Sequence, residues 1–313
     1  MPGSYTYINY ALRPAKHIER KMLCEAFRRL SEFGSLESYR YVGFGSIYYS
    51  DFNLFHKSLG ISNLHNIEKD AYNETRFIFN APFKCIQQHF GESNDELPKL
   101  NWDVRSIVWL DYDDPLDSKI LTDVAFIAAR CLQGTVIVVS TNAQPEKFDE
   151  NPLEVLKARI GEDKIPRDLS ATDLRGWATA AVYRRIISNQ IQETLTRRNG
   201  GLPQGSRIVY KQLFNFHYSD NSKMLSVGGV FFDEGQMAIL AKCNFSSLHF
   251  VREDETPFRI EVPLLTVREI RHLDKQLPTD NLAELVSQRV PPGDIEKYSR
   301  FYRYFPSFGE VEM

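Results

Sequence analysis

Two glycines and a glutamate are spaced as in a nucleoside-binding site. Gly43 and Gly45 stand in the run Tyr41-Val-Gly-Phe-Gly-Ser46, at the end of a short apolar stretch that is typical of a buried strand. Glycines at a strand-to-helix turn let a ligand approach bare backbone. Glu68 ends the next apolar stretch, roughly 20 residues after Gly45, where a carboxylate can accept both hydroxyls of a ribose. Together the two features predict a nucleoside site.

The turn lacks the third glycine of dinucleotide-binding loops. In the Gly-x-Gly-x-x-Gly pattern that glycine lets the following helix pack closely over a pyrophosphate. Tyr48 stands in its place. Nicotinamide and flavin dinucleotides are therefore disfavoured. A nucleoside without phosphate remains acceptable, and S-adenosylmethionine is such a ligand.

Three basic residues lie at the start of a predicted amphipathic helix. Apolar residues recur at helical spacing over 14–33. Arg13 precedes this helix, and Lys16 and Arg20 lie four residues apart on it. We take these three as candidate substrate-binding residues, because their charges would clamp an anionic substrate or the carboxylate of a cofactor. The alternative is that they are solvated charges on the helix surface.

No residue pattern indicates a bound metal. The seven histidines are scattered singly, and none has metal-ligand spacing to another histidine or to a cysteine. Asp111 and Asn142 would supply two hard oxygen ligands for magnesium, but Asn142 is equally typical of a turn. The four cysteines lie far apart, which is typical of a protein in a reducing compartment. We predict no metal and a cytoplasmic location.

Apolar stretches alternate with helical periodicity over the first 142 residues. Continuous apolar strands between helices are typical of a parallel sheet covered on both faces. Over 144–205 the composition becomes helical and charged, which indicates an inserted cap. Two β-rich stretches at 208–216 and 224–232 are joined by a short turn, so they must pair antiparallel. We therefore predict an α/β fold with a doubly wound, mostly parallel Rossmann-like sheet that ends in an antiparallel hairpin.

The predicted domain organisation follows these changes in composition. An N-terminal helical lid spans 1–38, the α/β core spans 39–143 and 206–245, the helical insertion spans 144–205, and a C-terminal helical and aromatic extension spans 246–313. Within the insertion, Ser170 and Asp173 form a capping-box pattern that is expected to open a long helix.

Length and composition exclude several classes of protein. The 313 residues are ample for a buried core, and 42% hydrophobic with 25% charged residues is ordinary globular composition. The net charge is −3, so no overall attraction to nucleic acid or anionic lipid is expected. No apolar run is long enough to cross a bilayer. The chain is expected to be soluble.

The order of motifs over residues 39–232 resembles that of class I S-adenosylmethionine-dependent methyltransferases. It comprises a strand with Gly-x-Gly, an acidic end of the second strand, Gly91-Glu92 after the third, Asp111 at the end of the fourth, and a terminal hairpin. More narrowly, four stretches resemble a bacterial family known as "putative O-methyltransferases". They are Arg13-Pro-Ala-Lys16 with Glu19-Arg-Lys21, Val42-Gly-Phe-Gly-Ser-Ile-Tyr48, Ile67-Glu-Lys69 and Val108-Trp-Leu-Asp-Tyr-Asp113.

The resemblance implies S-adenosyl-L-methionine as the cofactor and assigns residues to it. Gly43 and Gly45 would pass under its methionine part, and Glu68 would hold its ribose. Glu92 would lie near the adenine amine. The expected cofactor-binding set is completed by Phe44, Lys69 and Asp111.

Two positions depart from the superfamily pattern. Tyr41 replaces an acidic residue before the first glycine, and Ile47 replaces a third motif glycine. Contacts to the amino-acid end of the cofactor would then come from Arg13, Lys16 or Asp111. The sequence leaves this choice open.

The resemblance also places Asp111, Tyr112 and Asp113 on the side that faces the substrate, as candidate catalytic residues. Methyl transfer is an in-line displacement at a sulfonium, so the protein mainly aligns the acceptor and removes its proton when it is a hydroxyl. Asp111 or Asp113 is the candidate base. The alternative is that one carboxylate caps the next helix and the others are solvated.

The leading hypothesis is a methyltransferase that acts on an oxygen of an unidentified acceptor. One alternative is a non-catalytic protein of the same fold that senses the cofactor or binds a partner. Another is an RNA or DNA methyltransferase, which would use the pairs Arg184-Arg185 and Arg197-Arg198 and the aromatic tail 298–308. The run at 111–115 does not match adenine N6 methyltransferases, which disfavours nucleobase methylation. An oligomer or protein partner stays open, and no membrane association is expected.

Overall fold

The computed structural model describes residues 13–145, 151–285 and 289–306. Its strands are β1 (Arg40–Gly43), β2 (Asn63–Glu68), β3 (Ile86–Phe90), β4 (Ser106–Pro115), β5 (Val136–Asn142), β6 (Ile208–Ser219), β7 (Lys223–Asp233) and β8 (Phe258–Ile260). All eight belong to one sheet with the order β3-β2-β1-β4-β5-β7-β6-β8.

Ten α-helices lie around this sheet within the described ranges. They are α1 (Pro14–Arg28), α2 (Ser50–Leu59), α3 (Glu74–Asn80), α4 (Ser93–Glu96), α5 (Ser118–Arg130), α6 (Pro152–Ile160), α7 (Ala178–Arg198), α8 (Met237–Lys242), α9 (Val267–Asp274) and α10 (Pro292–Phe301).

Strand directions bring the functional candidates to one edge of the sheet. Strands β1 to β5 run parallel, and β7 runs antiparallel between β5 and β6. The carboxyl ends of β1, β2, β4, β5 and β6 therefore meet at the same edge, here named the carboxyl edge. The predicted α/β class, with its mostly parallel sheet and antiparallel hairpin, is confirmed. The short strand β8, parallel to β6, is an addition that the sequence pattern did not indicate.

Two hydrophobic clusters cover the two faces of the sheet. On one face Trp109 packs in a cluster with Phe55 of α2 and with apolar residues of α1. On the other face Val108 packs in a cluster with Ile127 of α5 and with α7. Successive side chains of a strand point to opposite faces. The α1 face and the α7 face of the sheet are therefore chemically separate environments.

The hairpin of β6 and β7 depends on two glycines in the middle of β7. A Cβ at Gly228 would run into the backbone oxygen of Ile137, and a Cβ at Gly229 would run into the backbone oxygen of Lys211. Glycine is required here because both neighbouring strands approach the β7 backbone closely. The hairpin is longer than predicted and carries its paired residues up to the carboxyl edge.

The start of the long helix differs from the prediction. The capping box of Ser170 and Asp173 forms, but it opens a 3-10 helix over Ala171–Leu174. Arg175 then takes an extended conformation, so α7 starts anew at Ala178. By contrast, the capping box of Thr266 and Glu269 opens α9.

Helix α1 is packed into the core rather than displayed on the surface. Ala15, Ile18 and Met22 are fully buried. Asp220, in the turn between β6 and β7, accepts a hydrogen bond of 3.1 Å from the backbone N–H of Lys16. A carboxylate at a helix N-terminus is favourable because of the helix dipole. The role of residues 1–38 as a lid stays a prediction.

Candidate functional site

The glycine turn after β1 lies over the end of β2. Gly43 is paired with Asn66 in the parallel ladder, and the backbone N–H of Gly45 donates a hydrogen bond of 2.7 Å to Asn66 Oδ1. Asn66 and Glu68 are two residues apart on β2, so their side chains lie on the same face. The turn and Glu68 are therefore neighbours at the carboxyl edge.

The missing side chains of the glycines make room for packed aromatic rings. A Cβ at Gly45 would lie 2.8 Å from Phe52 and 2.9 Å from Tyr49, and a Cβ at Gly43 would meet the Tyr41 hydroxyl. A ligand would therefore reach this turn through its backbone and the half-buried ring of Phe44. Cofactor binding by Gly43, Phe44 and Gly45 stays a prediction.

Glu68 ends β2 with a half-buried side chain. Its Oε1 accepts a hydrogen bond of 2.9 Å from the backbone N–H of Asp70. Burial raises the pKa of Glu68, and the N–H of Asp70 opposes this shift. The Nζ of the adjacent, exposed Lys69 lies 3.5 Å from Asp114, near the end of β4. The positive charge of Lys69 is thus drawn toward the β4 end.

An apolar and hydrogen-bonded wall joins β1 to β4 on the α7 face. The ring of Phe44 meets that of Tyr112 edge to face, with 5.1 Å between their centres. The Tyr112 hydroxyl donates to Asp123 of α5 at 2.6 Å, and Ser93 of α4 donates to the same carboxylate. Burial and Asp123 raise the pKa of Tyr112 well above its usual value. Tyr112 therefore keeps its proton, and its hydrogen bond to Asp123 holds its ring in place against Phe44.

Two of the predicted acidic residues lie at the solvent boundary. Glu92 immediately precedes α4, is half exposed, and pairs with Lys119 at 3.3 Å. Asp113 is exposed on the last part of β4. Their assigned roles toward the adenine amine and the acceptor proton stay predictions.

The α1 face holds a buried cluster of charges centred on Lys16. This side chain is 1% exposed, and its Nζ lies 2.7 Å from Asp111 Oδ1 and 2.8 Å from Glu19 Oε2. The same ammonium donates to the Tyr218 hydroxyl at 3.1 Å and lies 4.3 Å from the centre of the Trp109 ring. The hydroxyl of Ser140 lies 3.5 Å from the same ammonium. These residues are named the Lys16 cluster: Lys16, Glu19, Asp111, Tyr218, Ser140 and Trp109.

The two carboxylates of the Lys16 cluster differ in their access to solvent. Glu19 is fully buried, whereas the Asp111 side chain is 22% exposed. Burial raises the pKa of Glu19, although the nearby ammonium opposes this shift. Burial alone would lower the pKa of Lys16, but Asp111 and then Glu19 raise it above its ordinary value. Lys16 is therefore a cation, and Asp111 is the one of its two carboxylate partners that solvent reaches.

Tyr41, at the position where the superfamily pattern has an acid, is bonded to a carboxylate from another element. Tyr41 occupies the motif position, and its hydroxyl donates a hydrogen bond to the buried Asp51 of α2. Burial raises the pKa of Asp51, and the positive charge of Arg20 opposes this shift. Asp51 and Arg20 are thus a second set of buried, opposite charges on the α1 face. Sequence reasoning missed Asp51 because its partners come from α1 and β1.

The three predicted substrate-binding cations all face acids of the chain. Lys16 lies in its cluster, and the charge of Arg20 opposes the rise in the pKa of Asp51. The Nε of Arg13 lies 3.6 Å from Asp220. The anion clamp therefore stays a prediction, and the structure gives these cations internal partners. No sequence signal distinguished a buried lysine from a solvated one.

Most of the residues that suggested the nucleic-acid alternative have partners within the chain. Arg184 pairs with Glu255 at 3.0 Å, and Arg185 pairs with Asp168 at 2.7 Å. Arg198 donates to backbone oxygens at the end of α5. In the aromatic tail, Phe301 is fully buried. Arg197 is exposed, and nucleic-acid binding stays a prediction that these contacts do not favour.

Metal and membrane features are absent from the part of the chain that the structure describes. Over residues 13–145, 151–285 and 289–306, no three His, Cys, Asp or Glu residues are grouped as a metal site requires. Asn142 Oδ1 accepts a hydrogen bond of 2.9 Å from the N–H of Gln144 and so forms a local turn. Within the same ranges, no helix is both long and apolar enough to span a membrane.

A match to a family model shows the family to which the chain belongs. The family described as "Putative O-methyltransferase" matches residues 8–313, and this range includes every candidate discussed above. The chain belongs to this family. The resemblance to this O-methyltransferase family is confirmed. No curated protein matches the chain.

Three solved structures are similar to parts of this O-methyltransferase family member. DesVI of Streptomyces venezuelae has 17% identity and a TM-score of 0.33, over 45% of this chain and 58% of DesVI. LepI, solved with SAH and a substrate analogue, has 11% identity and a TM-score of 0.34, over 62% of this chain and 43% of LepI. The O-methyltransferase TomG of Streptomyces achromogenes, solved with SAM, has 15% identity and a TM-score of 0.38, over 71% and 90%. The chain therefore spans only part of the length of DesVI and LepI.

Proposed function

We propose that this O-methyltransferase family member binds S-adenosyl-L-methionine at the carboxyl edge and transfers its methyl group to a hydroxyl oxygen. The main support for this proposal is the hydrogen bond of 2.7 Å from the Gly45 N–H to Asn66. It sets the turn after β1 beside the end of β2, where Glu68 lies. In open α/β sheets, ligands bind in the crevice outside the carboxyl ends of the strands.

The groups at this edge fit a nucleoside that carries no phosphate. One oxygen of Glu68 is bonded to the N–H of Asp70, and the remaining lone pairs can accept ribose hydroxyls. The carboxylates of Glu68 and Asp111 attract a positively charged sulfonium and repel a phosphate. S-adenosylmethionine supplies an electrophilic methyl group on such a sulfur.

We assign proton removal to Asp111. Lys16 bonds one oxygen of this carboxylate at 2.7 Å, which fixes its position and leaves the second oxygen to accept the proton of the acceptor. The hydroxyl proton passes to Asp111 while the oxygen–carbon bond forms and the sulfur–carbon bond breaks, with its electron pair returning to sulfur. General base catalysis of this kind contributes roughly 100- to 10,000-fold to a rate.

Lys16 acts as a positioning residue in this scheme. Its ammonium stays charged because Asp111 and Glu19 raise its pKa, and it holds β4 against α1. A buried lysine with two carboxylates leaves one negative charge in excess when all three are ionised. That excess charge favours the cationic cofactor over an anionic one.

Calorimetric titration of the purified protein with S-adenosylmethionine and S-adenosylhomocysteine tests the binding step. Glu68→Gln is expected to weaken binding roughly 10- to 100-fold, because a charged hydrogen bond is worth about 1.5–3 kcal/mol. Glu74→Gln on the exposed start of α3 serves as the matched control and should bind as the wild type. Absence of binding to the folded wild-type protein would overturn the proposal.

The transfer step is tested with labelled cofactor and a metabolite extract. Radioactivity from the methyl group should appear in a product whose methyl–oxygen bond is established by mass spectrometry. Cofactor binding without any labelled product would instead support the non-catalytic alternative. A product methylated on nitrogen or carbon would contradict the assignment to oxygen.

A further inference from the structure

Buried polar atoms without partners are concentrated on the α7 face of β6. His217 is 3% exposed and Asn215 is 1% exposed. Within the described residues, neither ring nitrogen of His217 has a hydrogen-bond partner, and neither has Asn215 Oδ1. These residues are two positions apart, so they share a face of the strand. Buried polar atoms are bonded in the large majority of native structures, and exceptions indicate an unseen water, ion or ligand.

Two arginines face these atoms from neighbouring elements. Arg259 of β8 is the direct register partner of His217 and is exposed. Arg184 of α7 bonds Gln212 at 3.2 Å, while its Nε is buried and has no hydrogen-bond partner in the described chain. The β6 basic cluster consists of Arg184, Asn215, His217 and Arg259.

One carboxylate of the chain already lies against this cluster. Glu255 is 86% exposed and lies 3.0 Å from Arg184, and its backbone oxygen accepts a hydrogen bond from Asn215. Among the described residues, the cluster therefore sets two arginine charges against one contacting carboxylate, which is open to solvent. An exposed ion pair is weak, so a second anion can compete with Glu255 for Arg184.

His217 is neutral at pH 7 in this environment. Burial, then Arg259 and Arg184, lower its pKa to about 4. A neutral imidazole has one N–H donor and one acceptor nitrogen. The positive surroundings favour a ligand that accepts the N–H and carries negative charge.

His217 of the cluster lies near the carboxyl edge, two residues before the end of β6. His217 is paired with Leu225, which is paired with Thr141 at the end of β5. Two strand spacings put His217 about 10 Å from Thr141 along the sheet. The Trp177 ring, just before α7, stacks on His217 with 5.1 Å between centres. Asp111 lies on β4, one strand beyond β5, so about 14 Å along the sheet separates it from His217, and the two side chains lie on opposite faces. An acceptor that contacts both must be at least this long and must pass over the carboxyl edge.

We propose that the β6 basic cluster binds a carboxylate or phosphate group of the methyl acceptor. The assignment to the acceptor rests on the proposed function, whereas anion binding as such does not. The N-terminal turn of α7 beside Trp177 adds a positive dipole to the site. The acceptor would reach from this cluster to Asp111, with its hydroxyl at one end and its anionic group at the other.

Anion binding is measured on the cofactor-free protein by NMR of the histidine ring nitrogens. Inorganic phosphate and acetate are titrated separately, and His217→Gln identifies the signal. At least one anion should shift the His217 signal saturably and raise its pKa from about 4. A response to phosphate alone indicates a phosphate ester, and a response to acetate indicates a carboxylate. Absence of response to both anions overturns the proposal.

Two matched arginine variants distinguish a specific anion-binding site from nonspecific electrostatic attraction of anions to the protein. Arg259→Gln should weaken anion binding at least tenfold, whereas Arg197→Gln, an exposed position at the far end of α7, should leave it unchanged. Equal weakening in both variants overturns the proposal.

The link to the acceptor has its own readout. The labelled product from the extract should bind an anion-exchange resin, and Arg259→Gln should raise the KM for its precursor more than it lowers kcat. A product without an anionic group overturns the link. Intact cofactor binding with no anion response removes only this inference, and an anion response without cofactor binding removes only the proposed function.

Discussion

Lys16 Nζ lies 2.7 Å from Asp111 Oδ1, so a residue of α1 is bonded to the middle of β4. Both residues were candidates for separate tasks, one for binding a substrate and the other for removing a proton. Their contact makes them one unit. The ammonium compensates the buried Glu19 on its other side, and the carboxylate of Asp111 is the part of the unit that solvent reaches.

Replacing Lys16 by glutamine is expected to destabilise the fold by about 3–5 kcal/mol, since it leaves Glu19 buried without a cation. Urea unfolding measures this change. The double variant Lys16→Gln with Glu19→Gln should recover part of the loss. Lys275→Gln, at the exposed end of α9, should change stability by less than about 0.5 kcal/mol. A Lys16 variant as stable as the wild type would contradict the buried ion pair.

Gly45→Ala should destabilise the protein by about 1–3 kcal/mol, because its Cβ would lie 2.8 Å from Phe52 and 3.0 Å from Asn66. Gly293→Ala in α10 is the control, since a Cβ there would meet nothing within 4 Å. Thermal and urea unfolding of the two variants give the comparison. Equal stability of both variants would show that the glycine turn is not packed as described.

Asp111→Asn should lower kcat roughly 100- to 10,000-fold if Asp111 is the general base. Asp113→Asn, two residues further along β4 and exposed, should retain most of the activity. The labelled-methyl assay compares the two variants at saturating cofactor. If Asp113→Asn lost activity and Asp111→Asn kept it, Asp113 rather than Asp111 would be the general base. Cofactor affinity measured in parallel separates a loss of binding from a loss of turnover.

Stability should fall as the pH drops from about 6.5 toward 4, in part because of His65. Burial, then Arg40 and His89, lower its folded-state pKa to about 4, so between these values the unfolded chain binds more protons than the folded one. The unfolded state therefore gains stability as the pH falls. Between pH 6.5 and 4.5, the free energy of unfolding of His65→Gln should fall by about 2 kcal/mol less than that of the wild type. Equal losses in urea unfolding would contradict the burial of this imidazole.

Much of the fold could be predicted because its signals are local. The apolar run that contains Trp109 predicted β4, and the short turn between two β-rich stretches predicted the antiparallel hairpin. The prediction for α7 began at Ser170 because a capping box was present, yet the extended backbone at Arg175 separates that box from the helix. Strand β8 has only three residues, which is too short for a periodic pattern.

The candidate site was predicted only in outline. The glycine turn and Glu68 were expected to be neighbours because parallel strands end at a common edge, and the bond between Gly45 and Asn66 agrees with this. The buried state of Lys16 could not be predicted, since the same spacing of charges on a helix is typical of a solvated face. Asp51 carried no signal at all, because an acid in the first turn of a helix is ordinary.

Periodicity, glycine placement and the alternation of strands and helices determined the class of sheet and the edge at which function should lie, because these properties depend on neighbours in sequence. The tertiary structure alone decided which charges are compensated and which polar atoms lack partners. Lys16 contacts Asp111 and Tyr218, which are 95 and 202 residues away along the chain. His217 is brought beside Arg259 by the pairing of β6 with β8. The free energy of a buried charge or imidazole depends on such distant partners, and the identity of those partners is a property of the packed chain.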